Sequence, residues 1–178
     1  MKKRRDITLV LGGASSGKSV WAERYILGQG QNVGYIATAQ AFDTEMEERI
    51  ERHKARRGKE WTTREEPLNL LPSFASFPAD QPILLDCATL WLSNLMLAEK
   101  NISAESSALI HFLENYTGKL VIVSNETGLS VVPHTKIGRD FQKVQGQLNQ
   151  QLAILADRVV FIVAGLPMFL KGQFEGQS

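Results

Sequence analysis

The chain has 178 residues, 43% hydrophobic and 22% charged, which fits one globular domain over residues 1–178 with its own core. A net charge of +1 supplies no field for a nucleic acid or an anionic membrane, so neither is expected as a partner. Cys87 is the single cysteine, so no intrachain disulfide forms, as suits a cytoplasmic protein.

At the N-terminus, Lys2, Lys3, Arg4 and Arg5 precede the apolar run Ile7–Leu11, in outline like a short secretory signal. The run is too short for one, and cleavage after it would destroy the loop that follows. A solvated basic tip and a core strand is the better reading. No segment reaches the roughly 18 apolar residues of a membrane span.

The loop is GGASSGKS: Gly12, Gly13, Ala14, Ser15, Ser16, Gly17, Lys18 and Ser19. It matches G-x-x-x-x-G-K-[ST] between a strand and a helix, the context that a phosphate loop requires. Gly12 and Gly17 let the backbone wrap a phosphate with its N–H groups inward. The helix start adds positive potential. Lys18 is expected at the β- and γ-phosphates of a nucleoside triphosphate, with the Ser19 hydroxyl on Mg²⁺.

A helix over about 18–28 leads to a second strand, Val33–Ala37. Next comes FDTEMEERIERHKARR, Phe42–Arg57, predicted as a helix over about 43–57. Met46, Ile50 and His53 fall on one face of it, so His53 sits on the inward stripe rather than among the solvated charges. Alone, such a histidine is more often a packed core residue, and a charge run is more often a wet helix face. Arg49, Lys54, Arg56 and Arg57 shift the balance, because cations beside an imidazole suit a polyphosphate and keep the ring neutral and nucleophilic.

Pro67, Pro72, Pro78 and Pro82 mark an irregular connection with room for one short helix. The third strand, Ile83–Asp86, ends in an acid positioned to face the metal of Ser19, or else to cap the helix starting near Thr89. Cys87 reads as a small buried hydrophobe. Helices over about 89–99 and 104–115 precede the fourth strand, Leu120–Ser124. Asn125 and Glu126 then lie at the ligand edge, or simply form a turn. His111 lies in an apolar helical pattern and His134 in a loop, so both are weaker candidates than His53. A polar-faced helix over about 139–156 carries Asn149 and Gln150, read as structural or at a subunit contact, and leads to the last run, Val159–Ala164.

Short apolar runs alternating with helices specify an α/β fold of the P-loop NTPase type, a mainly parallel sheet with helices on both faces. Ligands of such sheets gather at the carboxyl ends of the strands. None of the seven asparagines opens an N-K-x-D guanine reader, so a guanine base would be read by other means.

GGASSGKS, YIATA, DTEMEERIERHKARR, WTTREEP, LLDCATLWLSNL, SNETGLSVVP, GRDFQKVQGQLNQQLA and VVFIVAGLPMFLK follow one another from Ile7 to Lys171. In this order they resemble the bifunctional adenosylcobinamide kinase / adenosylcobinamide-phosphate guanylyltransferase family of cobalamin assembly. The resemblance implies phosphorylation of adenosylcobinamide by a nucleoside triphosphate, ATP or GTP. It then implies transfer of GMP from GTP to adenosylcobinamide phosphate through a GMP–histidine on His53, with release of pyrophosphate. It implies GTP contacts from the loop residues 12–19, from Ala37, Thr38 and Ala39, from Lys54, Ala55, Arg56 and Arg57, from Glu65 (with Glu66 a rival) and from Asp86. A homo-oligomer, a trimer in the family, is implied as well. Relatives carry Arg where this chain has Ser15, and GLG or GMG where it has Gly128–Ser130, which bears on the kinase half rather than the transferase half. Two other readings stand on the phosphate loop alone: a monofunctional small-molecule kinase, and a nucleotide-dependent switch ATPase.

Overall fold

The computed structural model describes residues 5–30, 32–41 and 43–174. The basic tip at Lys2–Arg4 lies outside the described residues, as do Phe42 and the side chain of Arg49. The elements run β1 (Arg5–Gly12), α1 (Lys18–Leu27), β2 (Val33–Ala37), α2 (Thr44–Ala55), β3 (Trp61–Glu65), α3 (Leu70–Ala75), β4 (Ile83–Asp86), α4 (Ala88–Leu97), α5 (Ile102–Glu114), β5 (Gly118–Asn125), α6 (Lys136–Leu155), β6 (Arg158–Val163) and β7 (Leu166–Lys171).

The strands form one sheet in the order β3-β2-β4-β5-β1-β6-β7. All neighbours are parallel except the β6–β7 pair. Successive strand residues point to opposite faces, and the core divides accordingly. Leu9, Leu11, Leu85 and Ile122 pack with Trp91, Leu109 and Leu152 of α4, α5 and α6. Val10, Leu84, Val121 and Val160 pack with Ala22 and Ile26 of α1 on the other face. Burial on both faces is why these strands read as continuous apolar runs. It is a P-loop α/β fold.

The five expected strands are all present, and two further ones lie at the sheet edges. In β3, Thr62, Arg64 and Glu65 are exposed, so no apolar run announced it. In β7, Pro167 interrupts the strand pattern, and an edge strand tolerates it. The proline-rich connection holds one short helix, α3.

The register brings the working ends together. Gly12 pairs with Asn125, and Ala37 with Asp86. The phosphate loop and the ends of β2, β4 and β5 therefore share the carboxyl edge of the sheet.

Candidate functional site

Two glycines shape the phosphate loop. A Cβ on Gly12 would stand 2.4 Å from Ser16 Oγ and 2.8 Å from the Ile162 carbonyl. Gly17 has φ +91° and lies against Gly165 of the β6–β7 turn. That turn is tied to the loop by Gly165 N–H donating to the Ser16 carbonyl at 2.8 Å. Lys18 is only 5% exposed, and its ammonium reaches back to the Gly13 carbonyl at 2.9 Å.

α2 is a polar helix held at its start by Asp43, whose carboxylate accepts the Met46 N–H at 2.8 Å. Its cations gather in the last turn, where they complement the helix dipole. The inward stripe is as expected: Met46, Ile50 and His53 line one narrow cavity of about 90 Å³ with Tyr35, Asp86 and Asn125. His53 also borders a wider groove of about 410 Å³ along the phosphate loop, with Ser15, Arg52 and Arg56. Lys18 and Ser19 line both spaces. His53 thus stands where the two meet.

The imidazole is ringed by charge. Arg56 Nη2 lies 3.2 Å from its Nδ1, and Asp86 Oδ2 lies 4.0 Å from the same atom. Arg57 donates to the His53 carbonyl at 3.2 Å and lies over the Tyr35 ring at 3.9 Å. Asp86 is not the cap of α4. That place is taken by Cys87, whose sulfur accepts the Leu90 N–H. Asp86 instead accepts the Tyr35 hydroxyl at 2.6 Å, which fixes its carboxylate toward the cavity. Burial first, then the Asp86 charge and this hydrogen bond, hold the Tyr35 phenol well above its usual range. Cys87 is the buried hydrophobe expected, its thiol pushed up to about 12 by burial and by Asp86.

Other expected residues are placed differently. The Thr38 side chain faces away from the cleft: its hydroxyl donates to the Cys87 carbonyl and accepts the Cys87 N–H, both at 2.8 Å. It braces the strand end that presents Asp86, while Ala37 and Ala39 line the cavity. Lys54 bonds Glu65 at 2.8 Å, and both border a separate groove with Arg57 and Trp61. The rival Glu66 is occupied, accepting the N–H groups of Leu68 and Asn69 ahead of α3. Ala14 and Ala55 are exposed and border none of these spaces.

Asn125 lines the cavity, whereas Glu126 closes a turn by accepting the Gly128 N–H at 2.7 Å. α5 is a packing helix through Leu109 and Leu113, and His111 lies on its exposed face, paired with Glu114. Asn149 is buried and donates to the Asn125 carbonyl at 2.9 Å, while Gln150 is exposed.

Tyr35 of the cavity and Arg52 of the groove were not singled out from the sequence, nor was Glu23, whose carboxylate lies within 4.8 Å of ligand atoms of His53 and Asp86. Glu23 had a signal: it lies one helical turn beyond Ser19, on the same face of α1.

Residues 8–170 match the family model described as cobinamide kinase / cobinamide phosphate guanyltransferase. The chain is 48% identical over 168 residues to the bifunctional adenosylcobalamin biosynthesis protein CobP of Pseudomonas aeruginosa, covering 93% of this chain and 97% of that one. It is 37% identical over 180 residues to the bifunctional adenosylcobalamin biosynthesis protein CobU of Salmonella typhimurium, covering 92% and 98%. A solved structure from Pyrococcus horikoshii OT3 shares the fold, with a TM-score of 0.54 at 11% identity over 98% of this chain and 91% of that one.

Proposed function

The chain belongs to the cobinamide kinase / cobinamide phosphate guanyltransferase family, and from that premise we propose that His53 carries GMP between GTP and adenosylcobinamide phosphate. The protein is the bifunctional kinase and guanylyltransferase of cobalamin biosynthesis. In the kinase step the hydroxyl of adenosylcobinamide takes the γ-phosphoryl group of a nucleoside triphosphate, ATP or GTP. In the second step a neutral His53 nitrogen attacks the α-phosphorus of GTP, and pyrophosphate leaves with the electrons of the broken P–O bond. The substrate phosphate then attacks the same phosphorus and frees the histidine. Splitting the transfer in two lets one residue serve donor and acceptor in turn.

The observation that carries this reading is the place of His53 at the junction of the phosphate-loop groove and the cavity holding Asp86. With the α-phosphorus at that junction, the leaving pyrophosphate falls on the loop N–H groups, Lys18, Arg52 and Arg56, which offset its charge. Ser19 and Asp86 border one cavity and offer hard oxygen ligands, which fit Mg²⁺. When bound there, the ion supplies charge neutralisation at the phosphates. The groove of Lys54, Arg57, Trp61 and Glu65 is assigned to the nucleoside, the Glu65 carboxylate being an acceptor for its N–H or hydroxyl groups.

A homo-oligomer, a trimer by family resemblance, is part of the proposal. β7 supports it: Leu166, Met168 and Leu170 are exposed on an edge strand, an apolar surface that a second subunit would cover.

The test is a chase. Protein incubated with Mg²⁺ and α-labelled GTP, then freed of nucleotide, passes its label to added adenosylcobinamide phosphate without further GTP. Label that dissociates as GTP, or product formed only while GTP is present, contradicts a covalent carrier.

A further inference from the structure

Among the described residues, two carboxylates approach the His53 ring. Ligand atoms of Glu23, His53 and Asp86 all lie within 4.8 Å of one another. Asp86 already accepts from Tyr35 and shares its cavity with Ser19. Glu23 is held differently, by an ion pair with Arg56. Its side chain is 12% exposed, Arg56 Nη2 lies 3.5 Å from Oε1, and that oxygen has no hydrogen-bond partner among the described residues. Burial raises its pKa, opposed by the charge of Arg56. The apolar packing of α1 is made by Ala22 and Ile26, with Trp21, Tyr25 and Leu27 against the same core. A desolvated carboxylate without a hydrogen bond on Oε1, kept beside an imidazole, costs stability and so points to a role at the ring.

The chemistry says what it is for. When one ring nitrogen bonds to phosphorus, the other keeps its proton, and the ring becomes a cationic N-phosphoryl imidazolium until the substrate phosphate displaces it. A carboxylate opposite that N–H fixes the ring plane and offsets the new charge. We propose that Glu23 is this positioning residue: its carboxylate accepts the N–H of the non-attacking His53 nitrogen, while Asp86 serves the metal. The assignment rests on the guanylyl-histidine reading above. Arg56 spans both groups, at 3.5 Å from Glu23 and 3.2 Å from His53, and its drawing off by a nucleotide phosphate leaves the imidazole to Glu23.

The test compares wild type, Glu23→Gln and Glu23→Asp. Single-turnover labelling with α-labelled GTP reads the histidine step. Phosphorylation of adenosylcobinamide from γ-labelled ATP, which bypasses His53, reports the intact phosphate loop, and thermal melting reports the fold. In Glu23→Gln, labelling slows at least about 10-fold, as when a histidine loses its orienting partner. The GTP concentration for half-maximal rate and the kinase rate stay within about 3-fold, the melting temperature is equal or higher, and Glu23→Asp recovers part of the rate.

Unchanged labelling in Glu23→Gln overturns the assignment alone. So does a parallel fall of both activities and of melting temperature, which marks a structural role. Labelling restored by raised Mg²⁺ also overturns it, since Glu23 is then a metal ligand. Absence of label on wild type overturns the guanylyl-histidine reading, and the assignment with it.

Discussion

Asn149→Ala removes the hub of a buried polar network beneath the site. Asn149 Oδ1 accepts from Ser124 Oγ at 2.7 Å and from Gln145 Nε2 at 2.9 Å, while its Nδ2 donates to the Asn125 carbonyl at 2.9 Å. After truncation Ser124 Oγ still accepts from Gln145 at 2.9 Å and its hydroxyl can turn to Thr89 Oγ1 at 3.3 Å, so the loss concentrates on the Asn125 carbonyl. A part-buried carbonyl left unsatisfied costs about 1 kcal/mol, toward the low end for such groups, and the void left by the buried side chain brings the total to about 2–4 kcal/mol. For a chain of this size that is a fall of about 4–16 °C in melting temperature. Asn125 lines the cavity, so a rise in KM for GTP accompanies it. Calorimetry against Gln150→Ala, the exposed neighbour expected within about 0.5 kcal/mol of wild type, is the assay. If the two variants melt within about 1 °C of each other, the network does not hold the strand end and the reasoning fails.

Tyr35→Phe deletes the 2.6 Å bond to Asp86; urea unfolding should show a loss of about 1.5–3 kcal/mol, with a raised Mg²⁺ requirement, and an unchanged midpoint would contradict it. Cys87, with its thiol near 12, is ionised in only about one molecule in 10⁴ at pH 8, so iodoacetamide should leave the folded protein unmodified and react once urea is added. Gly17→Ala places a Cβ 3.2 Å from Gly165 Cα at φ +91°; it should destabilise the loop by about 1–2 kcal/mol and abolish calorimetric binding of a non-hydrolysable GTP analogue.

The sheet centre was legible because β1, β2, β4, β5 and β6 are covered on both faces and so read as apolar runs. The edges were not, because Thr62, Arg64 and Glu65 face solvent and Pro167 breaks a pattern that an edge forgives. The helical spacing of Met46, Ile50 and His53 was enough to aim the histidine inward. What spacing cannot show is contact between elements far apart in the chain. The Thr38 hydroxyl is bonded to the Cys87 backbone, a contact that no local pattern announces. Asn149 read as structural or at a subunit contact, and it is structural, but the partner it reaches across to, β5, could not be named from the sequence. Tyr35 bonds Asp86 and Glu23 lies near His53, neighbours that only the assembled sheet edge brings together.

The most direct test of the account is the intact mass of the protein after incubation with Mg²⁺ and GTP, followed by peptide mapping. The account predicts one added GMP on the peptide bearing His53, lost in acid, kept in alkali and absent from His53→Ala. No adduct, or an adduct that persists in His53→Ala, would contradict it.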